Sequence, residues 1–167
     1  VSGFAHSMGS GGGGVLLTSA LSGGGNLLIS GEGNFLGLGT SHKGVLVDAA
    51  TISRSSGDLS ISGMADANMG VYLLGSSVTV PGIIGITGQS NSSYGVNIEA
   101  STISATGSGA VNINGVSTTS HGFRMTAAAP PSETINSATS INITGQTGAG
   151  SGTEAILVMD ETFNATT

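Results

Sequence analysis

The stretch Gly95-Val96-Asn97-Ile98-Glu99-Ala100-Ser101-Thr102-Ile103-Ser104-Ala105-Thr106-Gly107-Ser108-Gly109-Ala110-Val111-Asn112-Ile113-Asn114-Gly115 decides the fold. Its apolar residues fall at every second position, as Val96 and Ile98, Ile103 and Ala105, and Val111 and Ile113. Period-two alternation is the mark of a β-strand, and Val and Ile suit a pleated, half-buried surface. Gly and Ser between the pieces supply the bends. The stretch therefore reads as three short strands in a fixed order.

The same phrase returns along the chain. Its opening piece recurs as Gly14-Val15-Leu16-Leu17, Gly44-Val45-Leu46-Val47, Gly70-Val71-Tyr72-Leu73 and Gly122-Phe123-Arg124-Met125, with a last copy, Ala155-Ile156-Leu157-Val158, that lacks the Gly. Its closing piece recurs as Leu27-Leu28-Ile29-Ser30-Gly31, Leu59-Ser60-Ile61-Ser62-Gly63, Ile84-Gly85-Ile86-Thr87-Gly88 and Ile141-Asn142-Ile143-Thr144-Gly145. The middle piece recurs as Ala50-Thr51-Ile52-Ser53, Ser77-Val78-Thr79-Val80 and, in weaker form, Glu133-Thr134-Ile135-Asn136. Repeats of roughly 25–32 residues point to a solenoid.

One such repeat cannot bury its own apolar face. Stacking repeats about 4.7–4.8 Å apart, each strand pairing with its counterpart one coil on, closes the interior. The expected fold is all-β, a parallel β-solenoid of about five to six coils of three short strands each, in one segment over 1–167. A right-handed coil is expected from the usual hand of parallel crossovers. An antiparallel barrel is disfavoured, because Asn114-Gly115 is the lone Asn-Gly hairpin signal. The Gly column (Gly3, Gly31, Gly63, Gly88, Gly115, Gly145) is expected to supply positive φ at corners. The Gly/Ser run 7–14, residues 31–43 and 145–154, and Ala127 to Pro131 read as turns or insertions outside the coil.

Composition limits the functions. Charged residues make up 7% of the 167-residue chain, against about 25% in ordinary domains. The net charge is −6 and the basic residues are Lys43, Arg54 and Arg124 alone, so a nucleic-acid partner is not expected. The 38% hydrophobic content and mean hydropathy of +0.31 separate the chain from disordered Gly/Ser sequences. No run approaches the roughly 18–20 apolar residues of a membrane helix, so membrane insertion is not expected either. Cysteine is absent, which removes disulfides and thiolate metal sites and suits a protein that crosses a membrane unfolded.

Candidate chemistry is sparse. In the repeat frame Asp48 and Glu99 share a column two coils apart with Leu74 between them, about 9–10 Å from each other. That distance could suit an inverting carboxylate pair, but two solvated charges on an outer face is the simpler reading. His42 and His121, and by analogy His6, read as exposed turn histidines; a metal site would need a third ligand to converge with them. The run Gly9-Ser10-Gly11-Gly12-Gly13-Gly14 lacks the Lys-Ser/Thr ending of a phosphate loop. The polar column Ser2, Ser30, Ser62, Thr87, Asn114, Thr144 reads as a hydrogen-bonded ladder, too mixed for ice binding. Leu16, Leu46 and Tyr72 fall in one outward column and form a candidate interaction strip. No cofactor, metal or catalytic residue is assigned.

The cycle Gly-Val-x-Ile … Ser-Thr-Ile-Ser-Ala-Thr-Gly … Val-x-Ile-x-Gly resembles the β-strand repeats of filamentous-haemagglutinin-like exoproteins and giant bacterial surface adhesins. The resemblance runs over nearly the whole chain. It implies a right-handed β-helix, export to the bacterial cell surface, and a parent protein often much longer. The expected function is a non-enzymatic structural or adhesive segment of an exported surface or extracellular fibre protein. Its expected partners are a host or neighbouring-cell surface, or other copies of itself in a filament. Val1-Ser2-Gly3, which fits the end of an earlier repeat, agrees with a longer chain or a head-to-tail polymer. The alternatives are a self-assembling filament subunit and a carbohydrate-binding or carbohydrate-active β-helix.

Overall fold

The computed structural model describes residues 14–33, 42–126, 133–148, 154–159 and 161–165. Among them are seventeen strands and no helix. The first coil contains β1 (Val15–Leu17), β2 (Leu21–Gly23) and β3 (Leu27–Gly33), and the second β4 (Val45–Asp48), β5 (Thr51–Arg54) and β6 (Leu59–Ala65). Then come β7 (Val71–Leu74), β8 (Ser77–Val80) and β9 (Ile84–Ser90), followed by β10 (Val96–Glu99), β11 (Thr102–Ala105) and β12 (Val111–Ser117). The fifth coil holds β13 (Phe123–Thr126), β14 (Thr134–Ser137) and β15 (Ile141–Thr147), and β16 (Ile156–Met159) and β17 (Thr162–Ala165) open a sixth.

Every strand pairs in parallel with its counterpart in the next coil, which builds three sheets in the orders β1-β4-β7-β10-β13-β16, β2-β5-β8-β11-β14-β17 and β3-β6-β9-β12-β15. The chain is therefore a parallel β-solenoid with three strands per coil, as the repeat predicts. Register follows the repeat without slippage: Val45 pairs with Val71, Val71 with Val96, and Val96 with Phe123. A one-residue slip would turn every apolar side chain outward, so the buried face enforces this register.

The interior is a stack of like residues from all three sheets. Val45, Val71, Val96 and Phe123 line the first sheet, Ile52, Val78, Ile103 and Ile135 the second, and Leu59, Ile84 and Val111 the third. Each such side chain adds about 1.5–3 kcal/mol of burial relative to exposure. The columns loosen in the last described coil, where Ile156, Val158 and Phe163 are 42%, 38% and 40% exposed.

The glycine column has a different role from the one its spacing suggests. Gly31, Gly63, Gly88, Gly115 and Gly145 lie inside the third-sheet strands, in register with one another, and none has positive φ. These strands are seven residues long, so they run past the Gly rather than ending there. A Cβ on Gly88 would lie 2.0 Å from the carbonyl oxygen of Gly95, and on Gly115 1.9 Å from that of Gly122. Glycine is needed because two backbones press together where the coil turns into its next strand. Gly3 lies outside the described residues, as do His6, Val1-Ser2-Gly3 and the segment 127–131.

Positive φ appears instead at Gly25 (76°) and Gly57 (84°) between the second and third sheets, and at Ala49 and Ala100 (both 49°) and Gly75 (57°) between the first and second. Buried hydroxyls hold this corner together. The Ala50 amide donates to Ser76 Oγ (3.2 Å), and the Ser76 amide donates to Ser101 Oγ (3.0 Å). At another bend, Ser90 Oγ accepts from the Ser93 amide (2.9 Å) and Ser117 Oγ from the Ser120 amide (2.9 Å), one coil apart in the same column. By contrast, Ser30, Ser62, Thr87, Asn114 and Thr144 align as expected but make no side-chain hydrogen bonds among the described residues. Their side chains face water, where bonding to a neighbour gains little over bonding to solvent.

Candidate functional site

The outward side of the first sheet collects most of the side chains that could recognise a ligand. Between the inward Val and Ile positions, the register lines up Leu16, Leu46, Tyr72, Asn97, Arg124 and Leu157 in one column. Asp48, Leu74 and Glu99 form the next column. At the bend before each strand, backbone bonds from Gly44 to Met69, Gly70 to Tyr94 and Gly95 to His121 set Tyr94 and His121 one above the other. Both of the chain's tyrosines, and two of its three Lys and Arg residues, thereby meet on one face.

These side chains engage one another. The Tyr72 hydroxyl donates to Glu99 Oε2 (2.8 Å), and the Lys43 ammonium lies 5.7 Å from the centre of the Tyr72 ring. The Arg124 guanidinium sits 4.9 Å from the centre of the Tyr94 ring, an arrangement that holds its fork of donors in place. The Tyr94 and His121 rings stack with centroids 5.7 Å apart and planes 16° from parallel. His121 Nδ1 is 2.7 Å from the Glu154 carbonyl oxygen, which can only accept, so Nδ1 carries the proton.

Asn97 lies at the centre. It points away from the core yet is fully buried, flanked in its column by Tyr72 and Arg124. Its Oδ1 accepts from Arg124 Nη1 at 3.4 Å, and its Nδ2 has no partner. A buried amide N–H left without an acceptor costs about 1–3 kcal/mol. The Tyr72 phenol is held well above its ordinary pKa, first by burial, then by the hydrogen bond to Glu99 and that carboxylate's charge, with Arg124 opposing.

The candidate strip Leu16, Leu46 and Tyr72 is in register as expected, but only Leu16, at 55% exposure, is open. Leu46 and Tyr72 are half-buried. Asp48 and Glu99 do flank Leu74, and both are partly covered, with Glu99 bonded to Tyr72. The histidines differ from the exposed turn residues expected. His42 is buried, its bend pressed against Gly33 of the third sheet, and the His121 side chain is 13% exposed, its ring stacked on Tyr94. Among the described residues no three His, Asp or Glu side chains converge. Arg54, the remaining basic residue, donates to the carbonyls of Gly24 and Gly25 in the coil before its own, so it serves the turn.

The grouping of Tyr94, Asn97 and His121 is missed when the strands alone are compared. The signal was present one position earlier: Tyr94 precedes Gly95 as His121 precedes Gly122. A second surface feature lies on the third sheet, where Gly85 leaves a notch in an outward column. There Leu28, Asp58, Ser60 and Ile83 line a shallow groove of about 350 Å³.

Compared with protein-family models, with curated proteins and with solved structures, the chain matches none of them. Among the described residues no helix is long and apolar enough to cross a membrane.

Proposed function

We propose that the chain is a structural and adhesive segment of an exported cell-surface or extracellular fibre protein, with no catalytic step of its own. The observation that carries this reading is the distribution of its surface chemistry. A continuous β-sheet core gives a stiff rod, and one outer face gathers Tyr72, Tyr94, Asn97, Arg124 and Glu99. The outward columns of the other two sheets consist mainly of Ser, Thr, Asn, Gly and Gln. A rigid element bearing a preformed patch suits contact with another surface, because little ordering remains to be done on binding. The lack of cysteine supports export in an unfolded state. The strip Leu16, Leu46 and Tyr72 belongs to this contact face in the same reading.

The test is where the protein resides. Antibody raised against the folded chain should label intact, unpermeabilised source cells, or the fibres they shed. Labelling that appears only after permeabilisation would overturn the proposal.

A further inference from the structure

We infer that the patch around Asn97 is a glycan-binding site for neutral pyranose chains that present adjacent hydroxyl groups, an inference that rests on the adhesive reading and specifies its ligand. Three observations carry it. Asn97 Nδ2 is a buried donor with no acceptor, on the outward side of the sheet. Arg124 is held over the Tyr94 ring with donors to spare, its one contact to Asn97 being a long 3.4 Å. Glu99 accepts from Tyr72 through Oε2, leaving Oε1 as an acceptor beside them. Two donors and one carboxylate oxygen are the set that adjacent hydroxyls require, since each hydroxyl both donates and accepts.

Arg124 acts as the cover. Its bond to Asn97 is at the weak end of hydrogen-bond distances, and its stem is flexible. A sugar hydroxyl that draws the guanidinium onto itself uncovers the Asn97 amide, which then donates to the same or the next hydroxyl. Drawing the guanidinium away also frees the face of the Tyr94 ring that it covers, a flat apolar surface for the C–H face of a pyranose.

Charge selects the neutral class. Lys43 and Arg124 are outnumbered on this face by Asp48, Glu99 and Glu154, the last 3.8 Å from His121, so it offers no net positive charge to an acidic sugar. The chain as a whole carries −6 and repels polyanions at long range. The notch at Gly85 on the third sheet is lined by Leu28 and Ile83 together with Asn26, Asp58 and Ser60, has no aromatic ring, and serves as the positional control.

The experiment measures binding of immobilised neutral gluco-, manno- and galacto-oligosaccharides to the whole chain, beside carboxylated and sulfated oligosaccharides. Binding to a neutral member is expected. Arg124→Met and Tyr72→Ala should each weaken it about tenfold, the loss of one good contact, while Leu28→Ala in the notch leaves it unchanged. Asn97→Ala separates ligand binding from folding. It should weaken sugar binding while leaving the melting temperature equal or higher, because an unsatisfied buried donor is removed; a purely structural Asn would lower it. The inference is overturned by binding restricted to acidic sugars and abolished by salt. It is equally overturned by binding that responds to Leu28→Ala but not to Arg124→Met. If no sugar binds while intact cells are still labelled, the glycan inference fails and the surface role stands; if labelling also fails, both are wrong.

Discussion

Gly63 and Gly70 face each other across the corner between the third sheet and the next strand of the first, so closely that a Cβ on Gly63 would lie 2.0 Å from the Gly70 carbonyl oxygen. The same pair repeats as Gly88 with Gly95 and Gly115 with Gly122. Backbone cannot give way there without breaking the ladder on both sides. Gly63→Ala or Gly88→Ala should therefore cost about 3 kcal/mol or more. Gly85→Ala, in the same strand as Gly88, meets only the Leu59 carbonyl at 3.9 Å and should stay within about 1 kcal/mol of the parent. Urea midpoints of the three variants check this. Equal losses for Gly85 and Gly88 would show that close approach is not what the column serves.

Ser76 tests the hydroxyl corner. Its Oγ is buried, accepts from the Ala50 amide and can donate to the Val47 or Leu74 carbonyl. Ser76→Ala leaves the Ala50 amide without this acceptor, and a loss of about 1–3 kcal/mol is expected by denaturant titration. Ser53→Ala, on an exposed position of the second sheet, should change stability by about 0.5 kcal/mol or less.

Core positions should grade along the stack, since each coil is held mainly by its neighbours. Ile103, fully buried in a middle coil, should lose about 2–5 kcal/mol on replacement by Ala. Phe163 continues the Ile135 position in the last described coil but is 40% exposed, and its replacement should cost clearly less. Similar losses at the two sites would mean that the final coil is packed as tightly as the middle.

The Tyr72 phenol gives a pH signature. Its raised pKa means that the folded state holds the proton more tightly than the unfolded state does. The linked stability is fully present below about pH 10, the ordinary phenol value, and is lost progressively above it. Absorbance at 295 nm should show Tyr72 still protonated above pH 10, with the Tyr72→Phe variant assigning the signal. Glu99→Gln removes the neighbouring carboxylate charge and should move the titration downward, although burial, the largest cause, remains. An unchanged curve in Glu99→Gln would remove Glu99 from the account.

Much of this architecture was legible in the residues. The period-two pieces and their fixed order define three strand columns, and the pairing of Val71 with Val96 or Ile86 with Ile113 follows directly from aligning repeats. Local pattern suffices there because a parallel solenoid pairs each strand with the same strand one repeat away. The candidate site was legible only in part. Tyr72 and its column could be placed, but Tyr94 and His121 lie in bends whose course the strand pattern does not specify.

What the sequence by itself determined is the repeat, and through it the strands, the register and the apolar interior, since burial tolerates no other alignment of alternating side chains. Tertiary structure alone decided what the corners do. It made Gly63 and Gly88 points of backbone contact rather than of positive φ, and put positive φ at other bends, among them Ala49, Gly57, Gly75 and Ala100. It also buried Asn97 on an outward column, between Tyr72 and Arg124 of the two neighbouring coils. The physical reason is the same in each case. Strand pairing depends on side-chain period, which is written in order along the chain, whereas corner packing and side-chain cover depend on how closely separate coils approach.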